Sequence, residues 1–371
     1  MPLRYKGWFI LMGAVLGVGS LILSYYGNPA NTGLCVSCFM ENIAGAMGLH
    51  DNIRMQYLRP EIIGLVLGAF FMALARREFV PSGGSSPLLR FVIGFFLIVG
   101  CTIFIGCPIK MVLRITSGDI GALVGLAGLI SGIYLGLGFI ENGFRLGIPS
   151  SQPKSNSLII PLFMMFLLVL IFVDPSFVYK STKGSGALRA PIMLSLGIGL
   201  LIGALAQFTR FCITGGIARI FLWGPREVLN CPRSTGLLIS LCSFFAFALV
   251  ASLLSGQFNL GLHGQPSSNA SYGWAFLGML MVGLGSVLIR GCPFRQLIAS
   301  AQGDNDAGAA VLGMLVGAAL AQSWDLAGTP AGTPIGGQIA VLAGLAIMLA
   351  VGVLNRRRGY GIAPEYQAGL D

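Results

Sequence analysis

The feature that most constrains this chain is the recurrence of apolar runs long enough to cross a lipid bilayer. A spanning helix needs about 20 mostly apolar residues. Such runs lie near residues 7–26, 60–77, 88–106, 119–140 and 157–174, and again near 189–209, 233–255, 272–290, 305–323 and 336–354. In lipid, a segment has to satisfy its own backbone N–H and C=O groups, and a helix does so internally. The pattern therefore predicts an all-α integral membrane protein with nine or ten transmembrane helices. Charge agrees with this. Only 10% of the residues are charged, where a soluble domain of this length carries about 25%, and the mean hydropathy is +0.83. The 54 glycines show no collagen period. Small residues in apolar helices suit close packing in lipid, where van der Waals fit drives association.

Two weaker Gly-rich segments, Gly33 to Leu49 and Phe211 to Gly224, are too short or too interrupted to span and are predicted as half-depth helices. The first run follows Arg4 and Lys6 but precedes no small-residue cleavage site, so it is predicted as an anchor and not a leader. Lys and Arg divide 16 against 7 across the ten runs, accounting for all 23. The richer side is expected to be cytoplasmic, which puts both termini inside. The formal net charge of +10 then reflects this bias. It calls for no nucleic-acid partner, and no nucleic-acid motif is present.

An internal repeat organises the chain. Gly106-Cys107-Pro108-Ile109-Lys110 is echoed by Gly291-Cys292-Pro293-Phe294-Arg295. Gly118-Asp119 is echoed by Gly303-Asp304, and Gly100, Gly128 and Gly132 by Gly285, Gly313 and Gly317, all at one offset of 185 residues. Convergent glycine spacing explains the glycines, but not the Gly-Cys-Pro-x-base motif held in register with Gly-Asp. Five predicted spans per half is an odd number, so the halves are expected to be inverted about a central pathway. The predicted division is 1–175 for the first repeat, 176–188 for the connecting loop, 189–355 for the second repeat and 356–371 for a cytoplasmic tail.

Gly-Cys-Pro is local physics before it is a signature. Pro suits the first position of a helix, which leaves Cys at the N-cap beside unpaired N–H groups that attract anions. Lys110 and Arg295 add positive charge that, inside lipid, belongs beside a cavity or pathway. Cys107, Cys292, Lys110, Arg295 and Cys35 are thus candidate pathway residues, with Cys38, Cys212, Arg210 and Cys231 as additional candidates. Cys101 and Cys242 fall inside apolar spans and read as packing residues. A lone Cys-x-x-Cys (Cys35, Cys38) and two histidines, His50 and His263, argue against structural zinc. Asp119 and Asp304 read as helix N-caps. With no Walker A motif, dinucleotide fingerprint or Ser-His-Asp arrangement, the chain is read as a non-enzyme without a cofactor. The competing class is a membrane thiol oxidoreductase or sulfurtransferase using Cys35 and Cys38.

Gly-Cys-Pro at Cys107 and Cys292, with Arg-Phe-Cys at Cys212 heading the second half, resembles the YeeE/YedE (sulphur transport) family over essentially the whole chain. The segment from Asn28 to Arg59 resembles the YedE branch assigned to selenium transport. The resemblance implies a prokaryotic cytoplasmic (inner) membrane protein with a pseudo-symmetric helical fold. It also implies uptake of thiosulfate or a related sulphur or selenium anion, passed along cysteine thiols by transient S–H hydrogen bonds. Cys107 and Cys292 match the relay positions, while Cys35 and Cys38 compete for the outer one. A cytoplasmic sulfur or selenium carrier protein is a partner implied at family level only.

Overall fold

A computed structural model describes residues 3–356 except 263, with the backbone alone at residues 3–5, 225 and 233. His263 and the predicted tail beyond Arg356 lie outside the described residues. The chain runs through α1 (Leu3–Tyr25), α2 (Val36–Ala46), α3 (Pro60–Ala75), α4 (Pro87–Phe104), α5 (Pro108–Thr116), α6 (Ile120–Glu141), α7 (Lys154–Ser157) and α8 (Ile159–Val173). It continues through α9 (Ile192–Thr209), α10 (Ile213–Asn230), α11 (Pro232–Leu254), α12 (Tyr272–Leu288), α13 (Pro293–Ala301), α14 (Asn305–Ser323) and α15 (Ile335–Leu354). A two-residue ribbon pairs β1 (Ser82–Gly83) with β2 (Ser150–Ser151). Among the described residues, eight stretches of helix are long and apolar enough to cross a membrane, and α3 and α8 are apolar but shorter. Large apolar side chains such as Phe247, Val250, Ile339 and Leu342 are exposed, as suits a surface solvated by lipid. The molecule is a multi-pass helical membrane protein.

Helices pair through small residues. α3 packs on α9, α1 on α11, α6 on α12 and α4 on α14, while α4 also lies against α12 and α1 against α9. A Cβ on Gly203 would lie 2.0 Å from the Leu65 carbonyl oxygen, so α9 meets the bare backbone of α3. Gly128 and Gly132 of α6 abut Phe276 and Leu280 of α12, and Gly313 and Gly317 of α14 abut Phe91 and Phe95 of α4. Both the glycines and the residues they touch are related by the offset of 185 residues.

The short helices α2, α5 and α13 sit inside this frame, and most of their residues are buried. The segment expected to end at Gly224 continues through a kink there (φ 71°) to Asn230. Three cations counted as loop charge on the poorer side, Arg59, Lys110 and Arg114, are instead at most 2% exposed. Their partners are internal, so they do not report on sidedness. Arg59 donates to Asn28, Asn42 and the carbonyls of Ser185 and Leu188, and lies over the Phe39 ring. It thereby pins the 176–188 loop to the bundle.

The two aspartates of the repeat do different work. Asp304 caps α14, accepting from the N–H groups of Asp306 and Ala307. Asp119 makes no cap bond and instead accepts from Arg114 Nε at 2.7 Å. Removing one partner of a buried ion pair costs about 3–5 kcal/mol, whereas losing a cap costs about 1 kcal/mol. Asp119→Ala is therefore expected to lower thermal stability in detergent several times more than Asp304→Ala. Equal losses would count against this division of roles.

Candidate functional site

Breaks in the helices build the site. α4 stops at Phe104, Ile105 turns into the left-handed region (φ 63°), and the Gly106 N–H donates to the Cys101 carbonyl at 2.8 Å. α12 stops at Leu288, Arg290 turns the same way (φ 64°), and the Gly291 N–H donates to the Ser286 carbonyl at 2.7 Å. Such a conformation costs a non-glycine residue about 1–3 kcal/mol and clusters at functional sites; for β-branched Ile105 it is a clear outlier. After each turn, Gly-Cys-Pro opens a new helix. The glycine also makes room for the base: a Cβ on Gly106 would lie 2.8 Å from Lys110 Cδ, and one on Gly291 2.8 Å from Arg295 Cγ. The motif therefore folds each cation back over its own turn.

Cys35, Cys107, Cys212 and Cys292 are the N-caps of α2, α5, α10 and α13. Only Cys212 accepts from its own helix, from the Gly215 N–H at 3.3 Å. The caps of α2, α5 and α13 make no such bond, which leaves first-turn N–H groups available to an anion. The sulfurs fall into two groups. Cys38 and Cys35 are 3.0 Å apart, the Cys107 N–H donates to Cys35 Sγ at 3.5 Å, and Cys212 and Cys292 are 3.9 Å apart. All five thiols are buried and reduced.

A cavity opens beside each group. One, of about 660 Å³, is lined by Cys38, Lys110, Glu41, Thr102, Gln322 and Arg54, among others. Lys110 Nζ is 3.6 Å from Cys38 Sγ. Among the described residues Lys110 makes no ion pair, although it is 2% exposed. The other cavity, of about 480 Å³, has Cys212 in its wall with Arg76, Arg210, Arg219, Arg290 and Arg295 around it, and Glu78 as the carboxylate. Arg295 Nη1 is buried without a hydrogen-bond partner. Arg210 bonds Glu78 Oε2 at 3.0 Å and also donates to Gln302. Glu78 lies past the end of α3. Partial burial opposes its charge, but Arg76 and Arg210 outweigh that and hold its carboxyl below the ordinary range.

The structure thus brings Cys35, Cys38, Cys107 and Lys110 together at one end and Cys212, Cys292, Arg210 and Arg295 at the other. Cys231 is elsewhere: it joins α10 to α11 and lines neither cavity. Cys101 is buried in α4, and Cys242 is exposed on α11. Sequence reasoning passed over Glu41 and the arginines Arg76, Arg219 and Arg290. Glu41 carried a readable signal, an acid inside an apolar half-depth segment. The arginines look like ordinary loop charge until the fold gathers them. No group of three or more His, Cys, Asp or Glu side chains suited to a metal ion occurs among the described residues. No protein-family model and no curated protein matches the chain.

Proposed function

We propose that this chain is a permease or channel for a small sulphur- or selenium-containing anion, working in the cytoplasmic membrane of a prokaryote with both termini inside. The reading rests on one observation: two groups of buried thiols lie beside two cation-lined cavities. A thiol is a weak, polarisable donor. It offers a passing anion one hydrogen bond without holding it, and conduction needs sites that bind and also release. Helix N-termini and the buried Lys110 attract the anion. A place beside the YeeE/YedE sulphur transporters, and their selenium branch in particular, is part of the same proposal.

We read the halves as inverted repeats. The packing supports this, because exchanging α1 with α9, α3 with α11, α4 with α12 and α6 with α14 maps the main helix pairs onto one another. The matched glycine contacts at one offset support it too.

The test is uptake of radiolabelled thiosulfate and selenite into proteoliposomes. We place selenium species ahead, since five soft sulfurs along the path suit a polarisable solute. Thiosulfate uptake with no selenium uptake, with or without Cys38→Ala, would refute that preference alone. Lys110→Met is expected to lower uptake about tenfold, the loss of one charge-assisted hydrogen bond worth about 1.5–3 kcal/mol. Unchanged uptake would remove Lys110 from the path. One observation favours a second reading, a thiol oxidoreductase: Cys35 and Cys38 lie 3.0 Å apart. Purified protein that carries none of these anions yet oxidises or reduces a thiol partner would establish it. A cytoplasmic sulfur or selenium carrier as acceptor remains part of the family-level proposal.

A further inference from the structure

The thiols make no use of the buried carboxyl group of Glu41, which lines the same cavity as Lys110. Glu41 lies on α2, three residues after Cys38, and is 4% exposed. It lines the larger cavity together with Cys38 and Lys110. Gln322 of α14 donates to its carboxylate, and Asn52 in turn donates to Gln322 Oε1 at 2.7 Å. His50 Nε2 meets the Glu41 backbone carbonyl at 2.9 Å, which fixes the helix turn that carries the acid.

From this geometry we propose that Glu41 is a proton-binding site coupled to the anion, so that a proton enters the cavity with each negative charge. The proposal rests on the transport reading above and extends it by naming the coupled ion. The buried part of the cavity holds one basic group, Lys110, and one carboxyl group, Glu41, both in its wall. Arg54 and Asp325, also in the wall, are exposed and opposite in sign. An anion arriving at Lys110 leaves the buried region with excess negative charge at low effective dielectric, where repulsion is severe. A proton on Glu41 removes that excess, and its departure restores the Lys110–Glu41 balance once the anion moves on to Cys35 and Cys107. No bond other than the O–H is made or broken.

Arg59, from the N-cap of α3, reaches Asn42 and Phe39 on the helix that carries Glu41. Cys38 shares that helix, Cys101 faces Glu41 from α4, and Lys110 from α5. His50, Asp51 and Arg54 lie on the loop after α2, Asp325 follows α14, and Cys292 and Arg295 lie on α13, which also packs on α2. Of these, Glu41 alone combines a carboxylate with burial in the cavity wall.

The experiment compares unmodified protein with Glu41→Gln in proteoliposomes, measuring labelled thiosulfate and selenite uptake against external pH while an internal dye reports proton entry. The expected result is uptake that rises several-fold as external pH falls, accompanied by proton entry. In Glu41→Gln, uptake should be independent of pH and free of proton movement. A pH-dependent, proton-linked uptake that persists in Glu41→Gln overturns the proton site and leaves transport standing. No anion uptake by the unmodified protein at any pH overturns the transport reading and this one together. If Glu41→Gln does not reach the membrane, Gln322→Leu serves instead. Loss of the amide donor disfavours the charged carboxylate, so the midpoint of the pH profile should move to higher pH, and an unmoved midpoint overturns the proposal.

Discussion

Cys292→Ala and Cys107→Ala are each expected to lower anion uptake roughly 10- to 100-fold while leaving the protein assembled. Each residue is the N-cap of a short buried helix; Cys292 Sγ lies 3.9 Å from Cys212 Sγ, and the Cys107 N–H donates to Cys35 Sγ at 3.5 Å. Alanine keeps the N-cap backbone but offers the anion no hydrogen bond. A bond to a charged partner is worth about 1.5–3 kcal/mol, and about 1.4 kcal/mol is a factor of ten. The void left is about one methyl group in size and costs on the order of 1 kcal/mol of stability, too little to unfold a bundle of this size. Cys231→Ala and Cys242→Ala are the controls, since neither residue lines a cavity. Serine at Cys292 restores a donor and should recover part of the rate. Full uptake in both alanine variants would take these cysteines out of the mechanism. Equal losses in the controls would show that general destabilisation, and not the relay, is being measured.

Gly203→Leu is expected to abolish folded protein. A Cβ at Gly203 would lie 2.0 Å from the Leu65 carbonyl oxygen, and the atoms it meets are backbone, which cannot swing aside. α3 and α9 would have to separate, losing the close contact that stands in for hydrophobic drive in lipid. The effect should exceed about 4 kcal/mol, in the range reserved for gross overpacking. Gly197, six residues earlier on the same helix, is exposed, and its Cβ meets nothing within 4 Å. Gly197→Leu should therefore express and run as a single species in detergent, while Gly203→Leu aggregates. If the two variants behave alike, close packing of α3 on α9 is not what holds these helices together.

Several features were legible in the residues alone because they depend on local rules. Apolar length selects spanning helices, so the predicted spans at 305–323 and 336–354 coincide closely with α14 and α15. Proline at N1 places Cys107 and Cys292 at N-caps wherever the helix lies. The register of the repeat is likewise carried by sequence spacing, and the glycine contacts follow it.

Other features rested on neighbours distant in the chain. Asp119 and Asp304 have the same local sequence, Gly-Asp before an apolar helix. Only Asp119 has an Arg114 five residues earlier that turns inward, and this buried pairing replaces the cap. Lys110 read from sequence as a pathway cation, but not as a neighbour of Cys38. Burial beside Cys38 followed from how α5 is enclosed by the helices around it, which no local pattern encodes. The pairing of Cys35 with Cys107, 72 residues apart, and of Cys212 with Cys292, 80 apart, is of the same kind. Sequence alone therefore determined the helices, their breaks and the chemical character of each cap. Tertiary structure decided which caps face one another, because helix packing sets the distances between side chains that the chain itself holds far apart.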